Sequence, residues 1–314
     1  MALNIFAALA DPTRLRILAL LREMELSVGE LAQVLGQSQP RVSRHIKILV
    51  DAGIAQRRRE GSWMFLGLGE AGLVTPLLAA IDAWDAQGGE DHWAIADAAR
   101  LVAVRADRAR AAEEYFNAHA AEWDAIRSLH VAEVEVEAAI RAVLGADGIG
   151  RLVDIGTGTG RMIELFGAGA ESVIGVDRSP EMLRLARAKL ALAGLQHADL
   201  RQGDMYALPL ASGSADTVII HQVLHYAQQP DAAIAEAARL LAPGGRLLVV
   251  DFGPHEMEDL RSRHAHARLG FADEQIEGWF AAAGLRSEPP RQLAGGELTV
   301  KLWLGRKPEK GTEL

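Results

Sequence analysis

The sequence LVDIGTGTGRM, residues 152–162, decides the fold of the larger part of this 314-residue chain. Its glycines, Gly156, Gly158 and Gly160, occupy every second position directly after an apolar run. Because glycine has no Cβ atom, such a loop at the end of a buried strand lets a ligand come close to the backbone. Taken alone, the loop fits a dinucleotide site, a site for a nucleotide joined to methionine, or a tight turn.

Beyond the loop, strand-like segments alternate with helical ones. The stretches with strand character are RLVDIG, SVIGVD, DLRQGD, ADTVIIH and GRLLVVDF. Helical sequences such as SPEMLRLARAKLALAG and PDAAIAEAARLLAPGG lie between most of them. Strands that alternate with helices form a parallel, doubly wound sheet, so this part of the chain is predicted to be a Rossmann-like α/β domain.

The residues that follow the loop indicate which ligand it receives. Asp177 closes the second strand, where a carboxylate accepts hydrogen bonds from ribose hydroxyls, as it also does in NAD-binding folds. Asp154 lies two residues before the first glycine. Asp204 follows the third strand, placed to accept from an adenine amino group, with Met205 able to line the ring. A Pro-Gly-Gly turn also precedes the fifth strand. A Rossmann dehydrogenase has no reason to carry these residues in this order, so the ligand predicted for the loop is the nucleotide joined to methionine.

With these motifs, residues 150–253 resemble the class I S-adenosylmethionine (SAM) methyltransferases, close to the ubiquinone-biosynthesis group. The resemblance implies that the methionine part of SAM lies against the alternating glycines, with Asp154 near its ammonium group. Upstream, AEEYFNAHAAEWDAIR resembles the helical cover of such domains, which makes Tyr115 and Arg127 candidates to close over the cofactor. The alternative for both is an ordinary ring and charge on an amphipathic helix. SAM and S-adenosylhomocysteine (SAH) are the implied cofactors.

The amino end has a different character, with two consecutive helices joined at a glycine and followed by a basic hairpin. SVGELAQVLG begins with a capping-box pattern, and SQPRVSRHIKILVDAG places Val42, Ile46 and Leu49 on one inward face. IAQRRREGSWMFLGL predicts the hairpin, with Arg57 to Arg59 at its tip. The predicted DNA-binding residues are Gln37, Gln39, Arg41, Ser43, Arg44, His45, Lys47, Arg58 and Arg59. The alternative is a solvated helix with a charged turn.

Charge supports this division of the chain. Residues 1–66 carry nine Lys and Arg against six Asp and Glu, whereas the remainder carries 24 against 36. A basic segment joined to an acidic one indicates that one end binds nucleic acid and the other avoids it. The alternative is that the difference in charge reflects compositional drift along the chain and has no functional meaning.

Residues 1–85 resemble the ArsR/SmtB winged-helix repressors, both in the order of the motifs and in the residues that make them up. The resemblance implies a homodimer, formed through helices near residues 3–9 and 73–84, that reads a two-fold symmetric operator in double-stranded DNA. Many members of that family bind metal or arsenite through cysteines or an Asp/His set. This chain has no cysteine, and its fifth helical segment has no histidine, so the signal is expected to come from elsewhere.

Histidines are concentrated in two segments that would border the cofactor cleft. HQVLHY contains His221 and His225, and the insertion GPHEMEDLRSRHAHARLGF contains His255, His264 and His266. His221, His225 and His255 are the predicted catalytic residues, which would bind and deprotonate a polar methyl acceptor. The alternatives are polar residues at the surface, or a metal site, which is disfavoured because His264 and His266 would face apart on a helix. No metal is predicted, and arsenite methylation is disfavoured because that chemistry relies on cysteine.

The predicted organisation is a winged helix-turn-helix for DNA binding and dimerisation over residues 1–85, a linker and helical cover over 86–147, and a methyltransferase domain over 148–314. The predicted function is a DNA-binding transcriptional regulator with a SAM-binding domain, whose effector is SAM or SAH. The alternative is an active small-molecule methyltransferase with an appended regulatory winged helix. Because MALNIFAALADPTRLR does not read as a signal peptide and no apolar stretch could span a bilayer, we expect a cytoplasmic protein without a membrane partner.

Overall fold

The computed structural model of the protein describes residues 2–60, 63–85, 92–120, 123, 132–145, 148–295 and 298–309. The chain divides into two units, Met1–Arg110 and Ala111–Leu314. The domain bounds given above, 1–85, 86–147 and 148–314, stay a prediction. Within the ranges just given, no helix is both long and apolar enough to cross a membrane.

The first unit combines short helices with a small antiparallel sheet. Its helices are α1 (Ala2–Leu9), α2 (Pro12–Glu23), α3 (Val28–Leu35), α4 (Gln39–Asp51), α5 (Ala71–Asp85) and the first part of α6 (His92–His119). Its strands are β1 (Leu26–Ser27), β2 (Ala55–Glu60) and β3 (Trp63–Leu68), in the order β1–β3–β2. The predicted order of helix, glycine turn, basic helix and hairpin is therefore present, with α4 as the second helix and β2–β3 as the wing.

Local capping explains where the helices of this unit begin and end. Ser27 and Glu30 form the predicted capping box, because Ser27 N donates to Glu30 Oε2 at 2.8 Å and Glu30 N donates to Ser27 Oγ at 3.3 Å. Gly36 ends α3 in the left-handed conformation, with φ of 65°. The turn between α3 and α4 is thereby fixed by one glycine, which sets the direction in which α4 leaves.

The second unit is a mixed sheet covered by helices. Its helices are α7 (Glu133–Leu144), α8 (Arg161–Phe166), α9 (Pro180–Leu192), α10 (Pro230–Leu240), α11 (Asp259–His264) and α12 (Asp273–Ala282), besides the end of α6. Its strands are β4 (Gly150–Ile155), β5 (Ala170–Asp177), β6 (Asp199–Gln202), β7 (Ala215–His221), β8 (Leu241–Phe252), β9 (Arg286–Ser287), β10 (Arg291–Gly295) and β11 (Leu298–Arg306). The sheet order is β10–β11–β8–β7–β4–β5–β6, with β9 also on β11.

The strands β8, β7, β4, β5 and β6 are parallel, which confirms the predicted Rossmann-like sheet. Two details differ from the sequence-based expectation. β8 runs through the Pro-Gly-Gly sequence, where Gly244 has φ of 78° and the pairing with β7 shifts register between Ala215 and Thr217. The antiparallel strands β9 to β11 extend the sheet beyond the five predicted strands.

Apolar residues bury both faces of this sheet. Along β4, Leu152 packs into one hydrophobic cluster and Val153 into the other. Strands covered on both faces have nearly continuous apolar sequences, as parallel strands do. The carboxyl ends of β4, β5, β7 and β8 meet at one edge, where ligands of open α/β sheets bind.

Candidate functional site

The glycine loop follows β4 at this edge. Gly156, Gly158 and Gly160 have φ values of 70°, 53° and 84°, a backbone region that favours glycine. A Cβ atom on Gly156 would lie 2.7 Å from Val223 Cγ1 and closer still to Cγ2. The amides of Gly156 and Thr157 both donate to Val176 O on the neighbouring strand. The loop is therefore held tightly, and its first glycine cannot be replaced without displacing Val223.

Asp154 lies beneath the loop as a buried carboxylate. Its Oδ2 atom accepts a hydrogen bond from Thr157 Oγ1 at 2.6 Å. A buried carboxylate is costly unless it is hydrogen-bonded or paired with a positive group. Its position suits a charged amine brought by a ligand, although the residue's role stays a prediction.

Asp177 ends β5 and contacts the glycine loop directly. One carboxylate oxygen accepts from Gly158 N and the other from Ser179 N, each at 2.8 Å. Burial raises the pKa of the Asp177 carboxyl, while these backbone donors act in the opposite direction. Arg178 N is a third backbone donor to this carboxylate, which leaves about one of its four lone pairs for a hydroxyl donor such as that of a ribose.

Asp204 and Met205 lie just past β6. Asp204 Oδ1 accepts from Tyr206 N at 3.1 Å, and the carboxylate is about half exposed. Met205 packs against the cluster that contains Val153 and Val176. An exposed acceptor beside an apolar side chain matches what an adenine ring requires, which keeps both residues as proposed cofactor contacts.

Aromatic rings cover the glycine loop. Trp123, which the sequence-based set omitted, lies with Nε1 3.5 Å from where a Cβ atom of Gly158 would be. Its ring contacts Phe116 at 5.3 Å between centroids, and Phe116 contacts Tyr226 at 4.7 Å. Tyr115 donates to or accepts from His264 Nδ1 at 2.7 Å. Trp123 belongs to the AEEYFNAHAAEWDAIR segment, so the pattern that indicated Tyr115 contained it too.

Arg127 lies outside the described residues, and its predicted contact with the cofactor is left as a prediction.

The histidines occupy different surroundings. His221 ends β7 and is buried, and His255 Nδ1 accepts from Met257 N at 3.2 Å. His225 is also buried and pairs with Asp251, with 2.7 Å between Nδ1 and Oδ1. The geometry thus brings His225 to a buried carboxylate. Asp251 was missed because it stands inside an apolar strand sequence, where nothing in the pattern singles it out.

The expectation that His264 and His266 share a helix is wrong. α11 ends at His264, and Ala265 adopts the left-handed conformation with φ of 55°. The chain turns there, so His266 is buried with its ring centroid 4.1 Å from that of His225. Nevertheless, across the part of the chain that the structure describes, His, Asp and Glu side chains form no group of three suited to a metal.

On α4, one face is buried and the opposite one is exposed. Val42, Ile46 and Leu49 are buried, as predicted. The exposed predicted DNA-binding side chains of α4 are Gln39, Arg41, Ser43, Arg44 and Lys47. This face presents three positive charges and polar groups, the side chains that contact phosphates and base edges.

Other residues of the predicted DNA-binding set are held by neighbours. Gln37 is half-buried rather than outward, with Nε2 donating to Thr13 Oγ1 at 3.3 Å. His45 Nδ1 lies 3.6 Å from Asp11 Oδ1. The three arginines of the wing lie in β2 rather than at the tip, and Arg58 pairs with Glu25 at 2.7 Å. Arg59 remains exposed, so it fits a DNA contact better than Arg58 does.

Comparisons with known proteins agree with both parts of this geometry. The family described as bacterial regulatory protein, arsR family, matches residues 11–57, and the methyltransferase domain family matches residues 153–249. The UbiE ubiquinone/menaquinone biosynthesis C-methyltransferase of Syntrophotalea carbinolica is 33% identical over 190 residues, 52% of this chain and 79% of that protein. The demethylmenaquinone methyltransferase of Thermus thermophilus is 40% identical over 107 residues, 33% of this chain and 48% of the relative.

A solved structure shows the same fold. The methyltransferase in complex with the Trm112 methyltransferase activator of Haloferax volcanii superposes with a TM-score of 0.54 and 22% identity. The match covers 64% of this chain and 100% of that one. At this level of identity, the likeness concerns the fold alone.

Proposed function

We propose that this chain, which belongs to the UbiE-related family of methyltransferases and carries an ArsR-family regulatory domain, changes its DNA affinity when SAM or SAH binds. The chain is thus a DNA-binding regulator with a methyltransferase domain. The observation that supports the effector role is that one chain holds both the exposed basic face of α4 and the glycine loop with its carboxylates Asp154 and Asp177, which we propose as the cofactor cradle.

The residues of the cradle fit SAM. Asp154 would face the ammonium group, Asp177 would accept from a ribose hydroxyl, and Asp204 would accept from the adenine amino group beside Met205. Trp123 and Tyr115 would cover the ligand and exclude water. SAM, when bound, supplies a methyl group on a sulfonium that is already reactive, so alignment and exclusion of water are the main tasks left to the protein.

Regulation follows if the ligand binds one state of the DNA-binding dimer better than another. A ligand can shift such an equilibrium only by its difference in affinity for the two states. We expect a homodimer on a two-fold symmetric operator in double-stranded DNA, acting in the cytoplasm, where it would meet both ligands.

A second candidate function is methyl transfer to a small-molecule acceptor. It is favoured by the buried pair of His225 and Asp251, because a carboxylate-backed histidine is suited to removing a proton. Regulation and catalysis do not exclude each other, since both require the same cofactor cradle.

Two binding measurements on the full chain test the proposal. Selection from a pool of random duplex DNA on the immobilised protein would give an operator, and isothermal titration calorimetry would give the SAM and SAH affinities. We expect a palindromic sequence and saturable binding of at least one of the two ligands. Selection without sequence enrichment, or the absence of heat with both ligands, would contradict the proposal.

A further inference from the structure

His225 and Asp251 lie at the carboxyl edge of the sheet. His225 is in a single helical turn, Leu224–Tyr226, shortly after β7, and Asp251 is the penultimate residue of β8. β7 is the strand between β4, which carries the glycine loop, and β8. Relative exposure is 2% for His225 and 0% for Asp251. A titratable pair is therefore buried at the carboxyl ends of β7 and β8, on one side of the strand that carries the glycine loop.

The hydrogen bonds of Asp251 determine which nitrogen of His225 carries the proton. Asp251 Oδ1 accepts from Phe252 N at 2.8 Å and lies 2.7 Å from His225 Nδ1, and Oδ2 accepts from His225 N at 3.1 Å. The oxygens of an ionised aspartate can only accept hydrogen bonds. Nδ1 of His225 must then donate, which leaves Nε2 with its lone pair when the ring is neutral.

Nothing else in the described structure uses that lone pair, because no hydrogen bond from a described residue reaches His225 Nε2. If His225 served only to hold the helical turn against β8, the hydrogen bond from Nδ1 to Asp251 would be sufficient. Three rings surround His225, those of Tyr226 and His266 with centroids 4.1 Å away and that of Phe252 at 5.1 Å, so the surroundings are aromatic and include a second imidazole. Burial raises the pKa of the Tyr226 phenol well above its usual value, so that ring stays neutral.

We infer that Asp251 is a positioning residue that fixes His225 with Nε2 as the proton acceptor for a hydroxyl-bearing methyl acceptor on an apolar or aromatic frame. This inference rests on the proposed function, since it requires SAM at the cradle. A base is needed when the acceptor must lose a proton before or during transfer, as a hydroxyl must.

The step balances without a further reactant. The acceptor O–H bond breaks and its proton passes to Nε2 of His225. An oxygen lone pair forms the bond to the methyl carbon, and the electron pair of the carbon–sulfur bond stays on sulfur, which leaves SAH. The proton on His225 then returns to solvent.

Nitrogen NMR of the full chain tests the positioning claim without any acceptor. The protein would be labelled with ¹⁵N-histidine, and the His225 signals would be identified by their loss in His225→Gln. We expect Nδ1 to be protonated and Nε2 to be unprotonated. Asp251→Asn should produce a mixture of tautomers, whereas Asp231→Asn, an exposed carboxylate on α10, should leave the spectrum of His225 unchanged. Protonation at Nε2 in the natural chain, or an unchanged tautomer in Asp251→Asn, would overturn the inference.

Transfer to two simple probes tests the role as a base. Phenol and 4-nitrophenol would be offered with SAM at mildly alkaline pH, where only 4-nitrophenol is largely ionised, and the methyl ethers would be quantified by mass spectrometry. We expect His225→Gln and Asp251→Asn to reduce transfer to phenol much more than transfer to 4-nitrophenol. An equal loss for both probes would assign a structural role, and no transfer to either by SAM-bound natural protein would overturn the hydroxyl class.

Calorimetry with SAM on the same samples distinguishes a failure of the proposed function from a failure of the positioning role of Asp251. If the natural chain does not bind SAM, the proposed function fails, and the tautomer measurement decides on the positioning role by itself. If SAM binds with the same affinity to the natural chain and to Asp251→Asn, any difference between the probes belongs to proton transfer.

Discussion

At the scale of single residues, Gly156 shows how closely the loop is fitted to its neighbours. Its φ of 70° favours glycine, and its missing side chain is the space that Val223 occupies. Gly213 has a similar φ of 72° but open space around it. These two glycines separate the effect of backbone conformation from the effect of packing.

Gly156→Ala should therefore be more harmful than Gly213→Ala. Strain at positive φ costs about 1 kcal/mol, and overpacking adds about 1–3 kcal/mol at Gly156 only. Differential scanning calorimetry would measure both variants, and calorimetric titration should show loss of SAM binding in Gly156→Ala alone. Equal destabilisation by the two substitutions would show that Val223 yields easily.

Asp177 supports a second prediction at this scale. Asp177→Ala should weaken SAM binding by about 1.5–3 kcal/mol, or roughly 10-fold to 150-fold, because a hydrogen bond from the ribose to a charged carboxylate is lost. Because burial raises its pKa, Asp177 takes up a proton at a higher pH than an ordinary aspartate as the pH falls. SAM affinity should accordingly decline on acidification in the natural chain and decline less in Asp177→Asn.

Titration calorimetry across a pH series measures both effects, with Asp231→Ala on the exposed surface of α10 as the control. An unchanged affinity in Asp177→Ala would remove the ribose assignment.

Sequence patterns find residues of this kind when they stand at a fixed place relative to a strand. Asp177 closes a strand, and the glycines follow one, so both were predictable and their backbone surroundings agree. Asp251 belongs to an apolar strand and pairs with a histidine 26 residues earlier in the chain. Residues so far apart in the sequence come together because β7 and β8 are adjacent in the sheet, and no local sequence pattern predicts that adjacency.

At the scale of elements, the two faces of α4 follow from helical spacing alone. The buried residues Val42, Ile46 and Leu49 recur at intervals of four and three, and the charges lie opposite. For the hairpin, the sequence does not show in the same way which arginines lie in a strand and which lie at the tip. The pairing of Glu60 with Trp63 extends β2 to Glu60, which places Arg58 opposite Phe65 and within reach of Glu25.

Arg44→Ala should weaken operator binding by about 1–3 kcal/mol, or lower the salt dependence of binding by about one unit of slope if Arg44 contacts phosphate. SAM affinity should stay unchanged, because Arg44 belongs to the first unit. Fluorescence anisotropy over a salt series would distinguish the two modes, with Arg184→Ala, an exposed arginine on α9, as the control. Operator binding equal to that of the natural chain would exclude this face of α4.

The start of α6 is joined to the winged helix by a buried ionic contact. Asp97 accepts from Arg16 Nε at 2.6 Å and from Arg100 Nη2 at 2.8 Å, and Arg16 Nη2 also donates to Leu35 O at the end of α3. Leu101 and Val104 pack into the core of the same unit. This part of α6 was predicted as linker and cover, because its alanine-rich sequence gives no sign of the partner that it packs against.

Asp97→Ala should lower the free energy of unfolding of the first unit by about 3–5 kcal/mol, because it removes the carboxylate partner of the largely buried Arg16 guanidinium. Arg16 and Asp97 side chains are 12% and 6% exposed. Asp82→Ala breaks a pair with Arg22 whose side chains are 52% and 38% exposed, so little change is expected there. Thermal unfolding of both variants makes the comparison, and equal melting temperatures would refute the structural role of Asp97.

At the scale of the whole molecule, the chain contains a DNA-binding unit and a methyltransferase unit, and the sequence indicated both. Alternating strands and helices begin at residue 150, inside the second unit, Ala111–Leu314. What no pattern supplies is whether ligand and DNA affect each other, because coupling is a difference in free energy between states of the whole chain.

The most direct test of the regulatory claim is calorimetric titration of the ligand-free chain with SAM and with SAH, each with and without the selected operator. We predict that the affinity of at least one ligand changes with DNA by a factor in the range of about 5-fold to 150-fold, as is typical of allosteric coupling. By reciprocity the same factor must then apply to DNA binding when that ligand is present. Affinities that are identical with and without the operator, for both ligands, would contradict the regulatory claim and leave the chain as a methyltransferase joined to an independent DNA-binding unit.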